Sequence, residues 1–98
     1  MAAGSVVTNL ESVADDAYLT IQPAASNEWC INNLYYAGAV EIYRYDGTNS
    51  ILIDSPTAAG ALLGCNLRCT NGDYVRVKNV SGDAAILGYD GIVTVYSE

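Results

Sequence analysis

The residues that could do chemistry begin with two Tyr-Asp-Gly triplets, at 45–47 and 89–91. The first triplet is followed by three residues with side-chain oxygens, so oxygen atoms that could bind calcium crowd one short stretch. Calcium takes six or more oxygen ligands, and the spacing of an EF-hand loop with its closing glutamate is missing here. Asp-Gly is also a strong hairpin signal, because the turn positions favour positive φ. We therefore interpret 46–49 as a four-residue turn and Asp90-Gly91 as a tight two-residue turn, with a calcium site at the first triplet as the alternative.

Catalytic groups are scarce in this chain. It has no histidine, which excludes the Ser-His and Cys-His nucleophile systems and the commonest general base. Acidic residues that could act in pairs, such as Asp15-Asp16 and Asp83 with Asp90, lie in predicted loops. The glycine-rich stretch 60–64 lacks the lysine and the spacing of a phosphate-binding loop. We predict a protein that is not an enzyme, with no catalytic residues and no cofactor.

Three cysteines, Cys30, Cys65 and Cys69, are an odd number, so they cannot all pair in disulfides within one chain. Without histidine they offer three soft ligands, whereas a structural zinc site normally takes four. Cys65 and Cys69 are four residues apart and would share one face of a strand. We predict buried free thiols, no metal site, and a fold that needs neither a disulfide nor a metal.

Tyrosine is the other unusual feature, because the chain has eight tyrosines, one tryptophan and no phenylalanine. In residues 39–45 and 73–80, apolar and polar side chains alternate, which places valine and isoleucine on one face of each strand. The opposite faces carry tyrosine and arginine. These could be ordinary cross-strand tyrosines, or a protein-binding or sugar-binding face. We predict that the interface residues are Tyr43, Tyr45, Tyr74 and Arg76.

The elements that must position these residues are strands. Alternating runs rich in β-branched residues recur between Gly, Asn, Asp and Pro turn signals, at 5–10, 18–23, 27–36, 39–45, 50–55, 59–69, 73–80, 84–89 and 92–96. This pattern predicts an all-β fold, a small β-sandwich or jelly-roll-like barrel of about eight or nine short antiparallel strands. We assign residues 1–98 to a single domain. Residues 1–16 form either an extended arm or an edge segment, and residues 10–18 either one helical turn or a loop.

Composition restricts the partners. The net charge is −7, so nucleic acid and anionic membranes are not expected to bind. No stretch approaches the ~20 apolar residues that span a bilayer, and the N-terminus has no basic start, so we expect synthesis in the cytoplasm. Half of the residues are hydrophobic (51%) and few are charged (15%), which leaves apolar surface on a small domain. We therefore expect self-association.

Two stretches, EWCINNLYYAGAVEIYRYDGTNSILID and YVRVKNVSGDAAILGYDGIV, resemble small structural proteins of tailed bacteriophages, especially capsid decoration or cement proteins. The resemblance extends over about residues 27–95. It implies a compact β-module that assembles as a homo-oligomer, often a trimer, and docks on the major capsid protein or another protein of the virion. Tail and fibre components have similar strand and turn sequences, so a carbohydrate-binding or receptor-binding module is the alternative.

Overall fold

The computed structural model of the chain describes residues 2–97, which fold into eight β-strands with no helix among them. The strands are β1 (Val6–Val13), β2 (Tyr18–Ile21), β3 (Glu28–Tyr36), β4 (Val40–Tyr45), β5 (Ser50–Asp54), β6 (Gly60–Thr70), β7 (Tyr74–Asn79) and β8 (Ala85–Val95). The prediction of an all-β fold with about eight or nine strands is confirmed. No helix within 2–97 has the length and apolarity needed to cross a bilayer.

The strands form two four-stranded sheets with the orders β1-β8-β3-β6 and β2-β7-β4-β5. Every strand pair is antiparallel. Successive strands in the chain mostly lie in opposite sheets, which is the arrangement of an eight-stranded jelly roll. The predicted β-sandwich or jelly-roll architecture is therefore confirmed.

The core lies between the inner faces of the two sheets. Alternation along each strand delivers aliphatic side chains to it, as in β7, where Val75, Val77 and Asn79 are buried and the residues between them are half-buried. The largest side chains that are fully buried include Leu19, Ile21, Ile31, Leu34, Ile42 and Leu87. The same alternation turns the other half of each strand outward, so each sheet has an outer face on which a partner could dock.

The N-terminal segment joins the sandwich through β1, which pairs along its whole length with β8. β1 is an edge strand of its sheet. A tight turn follows it, closed by a hydrogen bond from the Ala17 amide to the Ala14 carbonyl (3.1 Å), with Asp16 at a φ of 65°. The stretch that could have been a helical turn or a loop is thus the end of a strand followed by that turn.

The first Tyr-Asp-Gly triplet is a turn, as predicted. The Asp46 amide donates to the Asn49 carbonyl (3.1 Å), and Gly47 has a φ of 94°. The Asp46 carboxylate accepts hydrogen bonds from the Thr48 and Asn49 amides (2.9 and 2.6 Å). These bonds hold the pKa of Asp46 below its usual value.

The predicted turn at Asp90-Gly91 is wrong. Both residues lie inside β8, which continues from Ala85 to Val95 and pairs with β1 on one side and β3 on the other. Gly91 has another purpose here: a Cβ at this position would collide with the Cys30 carbonyl oxygen and the Ile31 Cα. The glycine allows the backbones of β8 and β3 to approach each other closely beside an irregularity in their register.

All three cysteines are free thiols, but their burial differs from the prediction. Cys69 is fully buried in the core, whereas Cys30 and Cys65 are half-buried. Burial raises the pKa of Cys69 to about 11, so this thiol is protonated at neutral pH. Cys30 is opposite the exposed residues Arg68 and Ile92, so its side chain is on the outer face of the sheet, whereas Cys69 faces the core and Cys65, on the edge strand β6, is only partly covered.

We predict that thermal unfolding curves measured with and without reductant, and with and without chelator, will superimpose. Among residues 2–97, no group of three or more His, Cys, Asp or Glu side chains is placed to hold a metal ion. Circular dichroism melts provide the measurement. A fall in the unfolding free energy with either reagent, on the scale of the ~2–5 kcal/mol lost with a native disulfide, would show that a hidden cross-link stabilises the fold.

Candidate functional site

The four predicted interface residues lie next to one another on the outer face of the β2-β7-β4-β5 sheet. β4 and β7 are paired so that Tyr43 is opposite Arg76 and Tyr45 is opposite Tyr74. All four side chains are half-buried. We name this surface, formed by these four residues together with Tyr18, the tyrosine–arginine face. The structure brings the predicted residues together, and their role in contacts with a partner stays a prediction.

Arg76 is the centre of this face. Its guanidinium carbon lies 4.1 Å from the centroid of the Tyr18 ring and 4.3 Å from that of Tyr45. Both distances are within the ~6 Å range of a cation–π interaction. The Arg76 Nε is buried, and no acceptor in residues 2–97 bonds to it. The two rings therefore hold the guanidinium in place without using all of its hydrogen-bonding capacity.

Tyr18 was missed by the sequence reasoning. It lies on β2, which pairs with β7 so that Tyr18 is opposite Lys78. The signal was present, because Leu19 and Ile21 are the buried residues of β2 and alternation places Tyr18 on the outer face. The Tyr18 ring is 6.4 Å from that of Tyr43, and the Lys78 ammonium is 6.0 Å from the Tyr18 ring. The position of β2 beside β7 could not be read from the alternation.

The tyrosines are fixed by bonds within the chain. The Tyr43 hydroxyl donates to the Glu41 carboxylate (2.7 Å), and the Tyr45 hydroxyl donates to the Gly47 carbonyl (3.0 Å). The hydrogen bond to Glu41, together with burial, raises the pKa of Tyr43. The rings of Tyr45 and Tyr74 meet edge to face at 5.5 Å and 79°, while those of Tyr18 and Tyr43 are tilted by 58°. The rings of the face are thus not coplanar.

An open groove of about 400 Å³ lies at the β4–β5 turn, lined by Arg44, Asp46, Asn49, Ser50, Ile51 and Asp73. Its charged groups are engaged with one another or with the backbone. Arg44 Nε pairs with the Asp73 carboxylate at 3.1 Å, and the Asp46 carboxylate binds the amides of its own turn.

No protein-family model and no curated protein matches this chain. A solved structure does: the Drosophila NLP core, described as giving insight into pentamer formation and histone binding, has a TM-score of 0.51 and 12% sequence identity. The match covers 85% of this chain and 96% of that one. It shows the fold alone. The Drosophila core shares the β-sandwich architecture derived above from the strand orders.

Proposed function

We propose that this chain is a non-enzymatic structural protein that self-associates and docks through the tyrosine–arginine face on a larger assembly. The acceptor that the sequence resemblance favours is the major capsid protein of a phage head, which would place the chain in the virion. The observation that supports the docking part is Arg76, whose guanidinium is clamped between two tyrosine rings on an outer sheet face.

This arrangement has the chemistry of a protein-binding hot spot. Tyrosine and arginine are, with tryptophan, the residues most enriched where a few side chains supply most of the binding energy. A guanidinium already held by two rings loses little conformational entropy on binding, and its planar fork matches a carboxylate or a row of carbonyl groups. We therefore expect the acceptor to place such oxygens against Arg76.

Self-association is supported by composition and by exposed apolar side chains. Val6, Ile51 and Leu63 are each more than two-thirds exposed (68, 68 and 69%). These residues lie on both sheets, so both outer faces carry apolar side chains that an assembly could bury. The Drosophila core is described as a pentamer, so this sandwich architecture is compatible with ring assemblies. The choice of a trimer rests on the phage resemblance.

The carbohydrate-binding alternative requires a flat row of two or three aromatic rings. The rings on the tyrosine–arginine face are inclined by 58° and 79° to their neighbours. A sugar ring stacks on a planar aromatic surface, and inclined rings offer little of it. We therefore retain protein docking as the proposed function.

Mass spectrometry of phage particles purified from the source of this sequence should detect the chain together with the major capsid protein. We expect Tyr43→Glu and Tyr74→Glu to reduce its incorporation at least tenfold, because each adds a carboxylate to a face that must receive oxygen atoms. Arg76→Lys should also weaken incorporation, because lysine keeps the charge but loses the planar fork. Tyr96→Glu is the matched control, since Tyr96 is exposed and lies outside the face.

Melting curves of the purified variants separate lost docking from lost folding. Particles that contain no copy of the chain would overturn the virion assignment. Normal incorporation of folded Tyr43→Glu and Tyr74→Glu chains would show that docking uses another surface.

A further inference from the structure

The second outer face of the sandwich belongs to the β1-β8-β3-β6 sheet, and it exposes several large aliphatic side chains, with polar residues such as Thr8, Ser12 and Arg68 between and beside them. We name it the apolar face and define it by Val6, Leu10, Leu63, Ile86 and Ile92, which are 68, 64, 69, 48 and 39% exposed. The strand register places them on one surface. Val6 is opposite Ile92 and Leu10 is opposite Gly88, while Leu63 is opposite Asn33, which is itself opposite Asp90.

Gly88 lies near the middle of this face, between Leu10 on β1 and Tyr35 on β3. Gly88 has no side chain, and a Cβ there would collide with the Leu10 side chain, so Leu10 lies across β8 at that point. Tyr35 and Ala61 continue the same row on β3 and β6. This row crosses all four strands of the sheet.

Most polar groups of the apolar face already have partners within the chain. The Asp90 carboxylate accepts hydrogen bonds from Asn33 Nδ2 (2.8 Å) and from the Tyr35 hydroxyl (2.5 Å). Glu28 pairs with Arg68 at 2.9 Å. These groups can be buried at lower cost than unpaired charges, because their hydrogen bonds are already formed.

We propose that the apolar face is buried against a second copy of this chain. The inference rests on the self-association proposed above and assigns the surface that performs it. Each copy carries a net charge of −7, so two copies repel each other, and the repulsion is smallest where they meet over a region of low net charge. On the apolar face the charges of Glu28 and Arg68 cancel, and the Asp90 charge is shared by two donors. The tyrosine–arginine face stays free for the acceptor.

The area of the apolar face is of the order needed for contact with a second copy of the chain. Four strands ~4.8 Å apart and about eight residues long give a footprint on the order of 500 Å², before the relief of the side chains is counted. A standard specific interface buries ~800 Å² per partner, which is of the same order. The other face, in contrast, presents Arg76 and Lys78, which call for a partner that supplies oxygen atoms.

The test is multi-angle light scattering during size exclusion, with the full chain at micromolar concentration. Val6→Asp and Leu63→Asp change the two most exposed side chains of the face, on β1 and β6, and neither contributes to the core. We expect each variant to elute as a monomer, or to need at least tenfold more protein to assemble, with an unchanged melting curve at concentrations where the parent is dissociated. Leu52→Asp, at an exposed leucine of the other sheet, is the matched control and should assemble like the parent.

The outcomes separate the two proposals. A parent chain that is monomeric at all concentrations would overturn self-association itself. A parent that assembles, with Val6→Asp and Leu63→Asp chains that assemble equally well, would overturn the assignment to the apolar face and leave self-association standing. Dissociation by Leu52→Asp alone would place the contact on the other sheet and also overturn the assignment.

Discussion

Replacing Gly91 with alanine should lower the free energy of unfolding by about 3 kcal/mol, at the upper end of the usual cost of overpacking a core. Gly91 is opposite Val7 on β1 and Ile31 on β3, in the interior of the sheet. Its missing Cβ would collide with backbone atoms of β3, the Cys30 carbonyl oxygen and the Ile31 Cα. Backbone cannot move aside as a flexible side chain can, so β3 and β8 must separate and lose hydrogen bonds between them.

Thermal unfolding followed by circular dichroism would measure this loss. For a domain of this length, ~3 kcal/mol corresponds to a fall in Tm of about 15 °C. Gly72→Ala is the matched control, because a Cβ on Gly72 meets no atom within 4 Å. Equal melting temperatures for Gly91→Ala and the parent would show that the two strands are not held this closely in solution.

The two Tyr-Asp-Gly triplets show where the sequence was informative and where it was not. A glycine in a β-protein serves either a turn that needs positive φ or a close approach of two backbones. Gly47 serves the first purpose, with a φ of 94°, and Gly91 the second. The local sequence around the two is nearly the same, so only the pairing of β8 with strands far away in the chain distinguishes them.

The candidate surfaces also show the difference between what the sequence of one strand indicates and what only the pairing of strands reveals. Alternation within β4 and β7 was enough to place Tyr43, Tyr45, Tyr74 and Arg76 on one outer face, because that inference needs only the period of a strand. The addition of Tyr18 required knowing that β2 lies beside β7. The apolar face was missed, because exposed aliphatic residues have the same pattern in sequence as residues of a core, and only the sheet order shows which side faces outward.

A second large loss of stability is expected from substitution of Asn79, a fully buried polar residue to which the sequence alone assigned no role. Its Nδ2 donates to the carbonyl oxygens of Val13 (2.9 Å) and Asp83 (2.7 Å). Its Oδ1 accepts from the Ser81 amide (3.0 Å) and the Ser81 hydroxyl (2.7 Å). One side chain thus joins the end of β1 to the turn between β7 and β8, and both amide atoms are fully used.

Asn79→Asp keeps the shape of this side chain but replaces the donor with an oxygen that faces two carbonyl groups. We expect it to lower the free energy of unfolding at pH 7 by about 3 kcal/mol, the range for removing one partner from a buried charged or polar network. Burial and the facing carbonyl oxygens raise the pKa of the new carboxyl in the folded state. When the pKa of this carboxyl is higher in the folded state than in the unfolded state, folding favours the neutral form. The decrease in unfolding free energy caused by Asn79→Asp should therefore become smaller as the pH falls and larger as it rises.

Urea unfolding of the parent and of Asn79→Asp at several pH values would test both the size and the sign of this effect. Asn66→Asp is the matched control. Asn66 is exposed, and its side chain accepts a hydrogen bond from the Cys30 thiol, a role that an aspartate oxygen can fill. The control adds the same negative charge to a chain of net charge −7, so it removes the general contribution of self-repulsion. If both variants lost the same stability with the same pH dependence, the effect would come from net charge, and Asn79 would not be the link between β1 and the β7–β8 turn.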